Sequence, residues 1–149
     1  MPVELLNEID VVIAAIHGGM NQSQEKIMKR MLGAVENPYV DIIAHPTCRL
    51  IGEREPVAVD LEILFKAAVK FNKAIEINSM PDRLDLKDIH AQRAQEVGVK
   101  LVINTDAHSK EHLNYIRFGI GVARRGWCQA EQILNTGTTG EILDFLKRN

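Results

Sequence analysis

The sequence predicts an α/β fold built on parallel strands, and two observations carry that expectation. Short apolar runs alternate along the chain with longer stretches of helical period, the pattern of strand–helix–strand units joined by right-handed crossovers. Ionisable and polar groups then stand where the strands stop, the side on which parallel folds assemble their sites. Four such units make half of a (β/α) barrel, or an open sheet flanked by helices. Polar groups at all four strand ends resemble the rim of a barrel cut in two.

The elements follow in order. Strand-like segments fall at about 11–16, 40–44, 74–78 and 100–104. Helical candidates lie between them at about 23–35, 59–72 and 87–97. Ser23 opens the first helix, whose apolar positions Ile27, Met31 and Leu32 keep helical spacing, and Pro38 marks its end. Leu61, Leu64, Phe65, Ala68 and Val69 give the second helix one apolar face. Ala91, Ala94 and Val97 do the same for the third, which Gly98 closes. Beyond His108 the pattern predicts a helix near 110–117, an irregular segment through Gly119, Gly121 and Gly126, and a helix near 139–147.

Bulk properties narrow the classes. A chain of 149 residues, 46% hydrophobic and 26% charged, fits one globular domain with a real core. Its net charge of −2 provides no global basic field, so any nucleic-acid contact has to be local. Cys48 and Cys128 are too few and too far apart for a disulfide framework or a zinc knuckle. No apolar run reaches the ~20 residues that span a bilayer, and the N-terminus does not read as a secretion signal. A cytoplasmic protein with free thiols is expected.

Four residues carry most of the chemistry: His17, His45, Asp106 and His108, each just beyond a strand-like run. Three histidines and a carboxylate gathered at one rim are a plausible ligand set for a metal. The sharpest motif is Asn104-Thr105-Asp106-Ala107-His108-Ser109, where D-x-H on a turn leaving a strand lets alternate side chains reach neighbouring ions. A buried structural His with Asp as a helix cap is the plain alternative. His45 precedes Pro46, which is expected to hold it extended. His17 precedes Gly18 and Gly19, which permit a tight turn.

The other two histidines, His90 and His112, fall in helical segments and read as helix-surface residues. Glu76 and Asn78 share one face of the third strand; Asn78 reads either as a group that bonds a substrate or orients a ligand, or as a polar cap on the strand end. Arg49 and Arg83 occupy loops on the same rim, where a guanidinium suits phosphate. Arg124-Arg125-Gly126-Trp127 reads as a structural cap over a buried Trp. No phosphate-binding P-loop, dinucleotide fingerprint or nucleophile elbow is present in the sequence. Metal-assisted hydrolysis is what remains.

These residues together resemble the PHP (polymerase and histidinol phosphatase) family, most closely the C-terminal part of the PHP domain of bacterial and archaeal family X DNA polymerases. The matching strings include Ile13 to His17, Glu36 to Thr47, Arg49-Leu50, Glu76 to Asn78, Arg83 to Leu86, Ile103 to His108 and Ala123 to Trp127. The resemblance runs from about residue 7 to the C-terminus. It implies that residues 1–149 are the C-terminal portion of a PHP domain, with about four β/α units of a distorted seven-stranded barrel.

It also places His17, His45, Asp106 and His108 on metal-ligand positions, with Asp106 and His108 catalytic. Arg49, Asn78 and Arg83 fall among substrate and phosphate contacts. Zinc or manganese is implied, up to three ions in a complete domain and fewer here. The family's opening H-x-H, a further His and a bridging Glu would all precede His17. Cys48 stands where the family has glycine, and Cys128 where it has leucine.

The implied reaction is phosphoester hydrolysis, on DNA 3′ ends or repair intermediates, within a polymerase whose other domains and first barrel strands lie upstream. The chain alone is then weak or inactive, and its unclosed barrel favours self-association. The alternatives are a small-molecule phosphatase of the histidinol-phosphate kind and a non-catalytic interaction module with a vestigial metal rim.

Overall fold

The computed structural model describes residues 3–146. A short helix α1 (Val3–Asn7) precedes four strands and the helices between them. The strands are β1 (Ile13–Ala14), β2 (Ile42–Ile43), β3 (Ala74–Asn78) and β4 (Leu101–Asn104). Between them run α2 (Gln24–Val35), α3 (Leu61–Lys70) and α4 (Asp88–Val97). The sheet is parallel throughout, in the order β1-β2-β3-β4. Each helix is therefore a crossover between adjacent strands, as the alternating pattern predicts.

Register sorts the side chains onto two faces. Ile13 is opposite Ile42, Ile42 opposite Ala74, Glu76 opposite Val102 and Asn78 opposite Asn104. One face, with Ile43, Ile75, Ile77, Leu101 and Ile103, joins the apolar stripes of α2, α3 and α4 in the main core. The other starts apolar at Ile42, Ala74 and Val102, covered by Leu134 and Phe145. It then turns polar toward the strand C-termini, with Glu76 and Asn78 both buried. A polar half-face at that end of a parallel sheet is where a site can form.

Local chemistry sets the helix limits. The Asp60 carboxylate caps α3 by accepting from the Ile63 amide at 3.0 Å. Gly98, at φ +94°, ends α4 in the left-handed conformation predicted for it. One expectation fails after β4. A 3₁₀ turn (Glu111–Tyr115) runs into a ten-residue helix α5 (Ile116–Arg125) straight through Gly119 and Gly121. Packing makes the difference: a Cβ at Gly119 would collide with the Ser79 side chain and lie 2.5 Å from Ile103 Cγ2. Glycine there lets α5 approach the ends of β3 and β4, and tertiary contact overrides weak helix propensity.

The two edges of the sheet differ. Along β4, Asn135 imitates a neighbouring strand: its Oδ1 accepts from the Ile103 amide at 3.1 Å and its Nδ2 donates to the Ile103 carbonyl at 2.8 Å. Ile133 also bridges to Leu101. At β1, Ile13 is 51% exposed. The final helix α6 (Thr139–Leu146) matches the expected one, whose last position, 147, lies outside the described residues. No helix among the described residues is long and apolar enough to cross a membrane. Cys48 and Cys128 are free thiols, and burial pushes the Cys48 thiol up to about 11.

Candidate functional site

At the C-terminal end of the polar half-face lies a cleft of about 260 Å³. Its lining follows from the register: Ile13, Ala15 and His17 from β1 and its extension, Ala44 and His45 just beyond β2, Glu76 from β3, and Asn104 and Asp106 from the end of β4 and the turn after it. Three of the four expected ligands therefore meet there. The His17 and His45 rings stand edge to face, centroids 5.3 Å apart at 83°. His17 is exposed and His45 is buried.

His45 departs from the extended conformation that Pro46 leads one to expect: its φ is +29°. The tertiary setting outweighs the proline bias. The His45 amide donates to Glu76 Oε2 at 2.7 Å, and its carbonyl accepts from the Cys48 amide at 2.9 Å. The buried Nδ1 of the ring has no hydrogen-bond partner among the described residues. Burial first, and then the Arg83 charge, lower the pKa of His45. A neutral imidazole with an unsatisfied buried nitrogen is suited to a metal.

Glu76 organises the floor. Its carboxylate accepts from the His45 amide, from Asn78 Nδ2 at 3.2 Å and from Asn104 Nδ2 at 3.2 Å. Burial raises its pKa, and those hydrogen bonds oppose the rise. Period two had placed Glu76 on this face with Asn78. Its central position was not legible, because two of its three partners, His45 and Asn104, come from the ends of other strands.

Asn78 is wholly buried, and its Nδ2 also reaches Asp106 Oδ2 at 3.3 Å. It therefore orients two carboxylates, as a group behind a ligand does. Asp106 sits at φ +51°, and its Oδ2 pairs with Arg83 Nε at 3.3 Å. Nη1 of that arginine is buried without a partner.

The remaining predicted residues stand apart from the cleft. His108 is exposed and does not line it. Its Nδ1 lies 2.7 Å from the Asp106 carbonyl oxygen, which can only accept, so Nδ1 is the donor there and Nε2 is the nitrogen left outside that contact. His112 is more than a surface residue, since its Nδ1 accepts from the His108 amide at 3.2 Å.

Arg49 donates to the carbonyls of Arg83, at 2.7 Å, and Leu84, at 2.5 Å, bracing the loop that carries Arg83. It opens into a different pocket. Cys48, where the resembled family has glycine, has φ +54°, a conformation that favours glycine. Trp127 is 73% exposed, contrary to the buried cap expected of it. Its carbonyl, not its ring, is what Gln95 and Gln129 hold at 3.2 Å.

The donor set is partial. Among the described residues no group of three or more His, Cys, Asp or Glu side chains lies close enough to hold a metal ion. His17 and His45 bring two imidazoles edge to face, and the two carboxylates that share the cleft are both engaged, Glu76 by the His45 amide, Asn78 and Asn104, and Asp106 by Arg83 and Asn78.

No protein-family model matches the chain. It is 47% identical, over 98% of its length, to the DNA polymerase/3′-5′ exonuclease PolX of Bacillus subtilis, of which it spans 26%. It is 30% identical, over 99% of its length, to a protein of Thermoanaerobacter sp. named probable phosphatase, and spans 61% of it. A Caldanaerobacter subterraneus protein of the same name is 33% identical over 72% of the chain, which spans 44% of it. The chain is thus similar, over nearly all of its length, to about a quarter of a polymerase/exonuclease and to a little over half of a protein named as a phosphatase.

Proposed function

We propose that this chain is part of a metal-dependent phosphoesterase domain of the PHP family, acting on phosphoesters such as DNA 3′ ends within a family X DNA polymerase. The observation that carries the reading is the pairing of His17 with His45, whose buried Nδ1 lacks a partner, at the strand C-termini. The relative that names an exonuclease and those named probable phosphatases support the same class of reaction.

His17 and His45 would hold a zinc or manganese ion, which when bound supplies Lewis acidity at phosphoryl oxygen and a water of lowered pKa. The chain's own residues do the rest. Glu76 fixes the backbone of His45, and the surrounding burial keeps that imidazole neutral. Asn78 and Arg83 hold Asp106 at the cleft wall. Arg83, paired with Asp106 at the cleft wall, sets a guanidinium charge beside the cleft that would offset the charge developing at phosphorus. The exposed His108, whose Nε2 is left outside its bond to the Asp106 carbonyl, is suited to taking or giving a proton at the rim.

Two imidazoles and two carboxylates already engaged, Glu76 and Asp106, are few ligands, so the chain alone is weak or inactive, and the remaining ligands would come from upstream sequence. Hydrolysis assays with manganese or zinc, on a DNA 3′-phosphate and on a free phosphomonoester, test this. Low metal-dependent turnover, faster on DNA and abolished in His45→Ala, is expected. Robust turnover by the chain alone contradicts its inactivity. A preference for the free phosphomonoester supports the small-molecule phosphatase instead.

A further inference from the structure

A second pocket, about 410 Å³, lies where α5 meets the start of α4 and the loop after β3. Its rim is cationic: Arg49, Lys87, Arg117 and Arg125 line it against a single acid, Asp88. Arg125 pairs with Asp88 at 2.9 Å, which accounts for that carboxylate. Arg49 is fixed in place by its bonds to the Arg83 and Leu84 carbonyls. Neither Lys87 nor Arg117 forms an ion pair among the described residues. In a chain of net charge −2, this is a local excess of positive charge.

The floor is apolar. Leu84, Phe118 and Val122 form it, and the Arg117 guanidinium lies 4.8 Å from the Phe118 ring centroid. A planar cation over an aromatic face makes a platform on which a flat ring can stack. Ring contacts run on from Phe118 to Tyr115 (5.9 Å, tilted at 43°), from Tyr115 to His112 (5.2 Å, stacked) and from His112 to His108 (6.5 Å, tilted at 60°).

We propose that this pocket binds an organic phosphate, with its planar or apolar group on Phe118 and Leu84 and its phosphate among Arg49, Lys87 and Arg117. The site is separate from the metal cleft and goes beyond the reading above. The same chemistry is offered by a free nucleotide and by one unit of a nucleic-acid strand.

Titrating the isotope-labelled chain with deoxyadenosine monophosphate, with a short oligothymidylate and with inorganic phosphate, followed by amide NMR shifts without added metal, tests the proposal. The expected result is shifts at residues 84–88 and 116–125 with either organic probe. Arg117→Glu, at an exposed position, should weaken binding about ten-fold, and Phe118→Leu should remove the preference over inorganic phosphate. Tighter binding of the strand, spreading to Tyr115 and His112, identifies nucleic acid as the source, and equal binding identifies the free nucleotide. Overturning results are no shifts at these residues, shifts confined to His17, His45 and Asp106, or Arg117→Glu binding unchanged. Failure of the metal cleft would leave these shifts intact, so the two readings fail separately.

Discussion

His45 concentrates the logic of the molecule into one residue. Its backbone sits in the left-handed region, its amide is fixed by a buried carboxylate and its ring nitrogen is left without a partner. Conformations of that kind persist where the surroundings over-determine them, and they cluster at functional sites. The sequence made the histidines legible because each follows an apolar run and meets a turn former, Gly18 or Pro46. It could not show the backbone angle, which depends on Glu76, thirty-one positions away.

Beside it, Asp85 gives a residue-level prediction. It is wholly buried, its Oδ2 accepts from the Thr47 amide at 3.0 Å, and burial raises its pKa from 3.8 to about 6. A carboxyl raised on folding favours the folded state while it is protonated. That contribution is full below pH 3.8 and is lost as pH rises through about 6, a difference of about 3 kcal/mol. Asp85→Asn removes the titration and keeps an acceptor for Thr47. Urea unfolding of both proteins across this range should show the wild type losing stability relative to the variant as pH rises. Parallel curves would contradict the account.

At the level of elements, the alternation of short apolar runs with stretches of helical period was enough to place all four strands and the helices between them. What it missed has a single physical cause. Gly119 and Gly121 look like helix breakers locally, yet α5 runs through both, and at Gly119 it lies close against Ser79 and Ile103. Intrinsic propensity is worth about 1 kcal/mol per glycine, and close packing outweighs it. The two glycines should therefore separate on substitution. Gly119→Ala forces a methyl into Ser79 and Ile103 and should cost about 1–3 kcal/mol. Gly121 meets nothing within 4 Å, so Gly121→Ala should be neutral or slightly stabilising. Urea midpoints check both, and equal shifts would mean that α5 does not pack as described. Trp127 was misread for a related reason: the Arg124–Trp127 string resembles a cap, and nothing local tells whether its ring turns in or out.

Across the whole molecule, the parallel sheet turns one face into core and divides the other between a small apolar floor and a polar end. That division gathers residues from all four strands into one cleft. The register that brings Glu76 and Asn104 together is a long-range property, which is why the residue types at the strand ends were readable from the sequence and the hydrogen bonds among them were not. The central claim is that this cleft holds a divalent ion through His17 and His45. Calorimetric titration of the wild-type chain with zinc and with manganese tests it most directly, alongside His17→Ala and His45→Ala. The account predicts one site of modest affinity, weakened at least about ten-fold by either substitution. Absence of binding to the wild type, or binding that both variants retain unchanged, would contradict it.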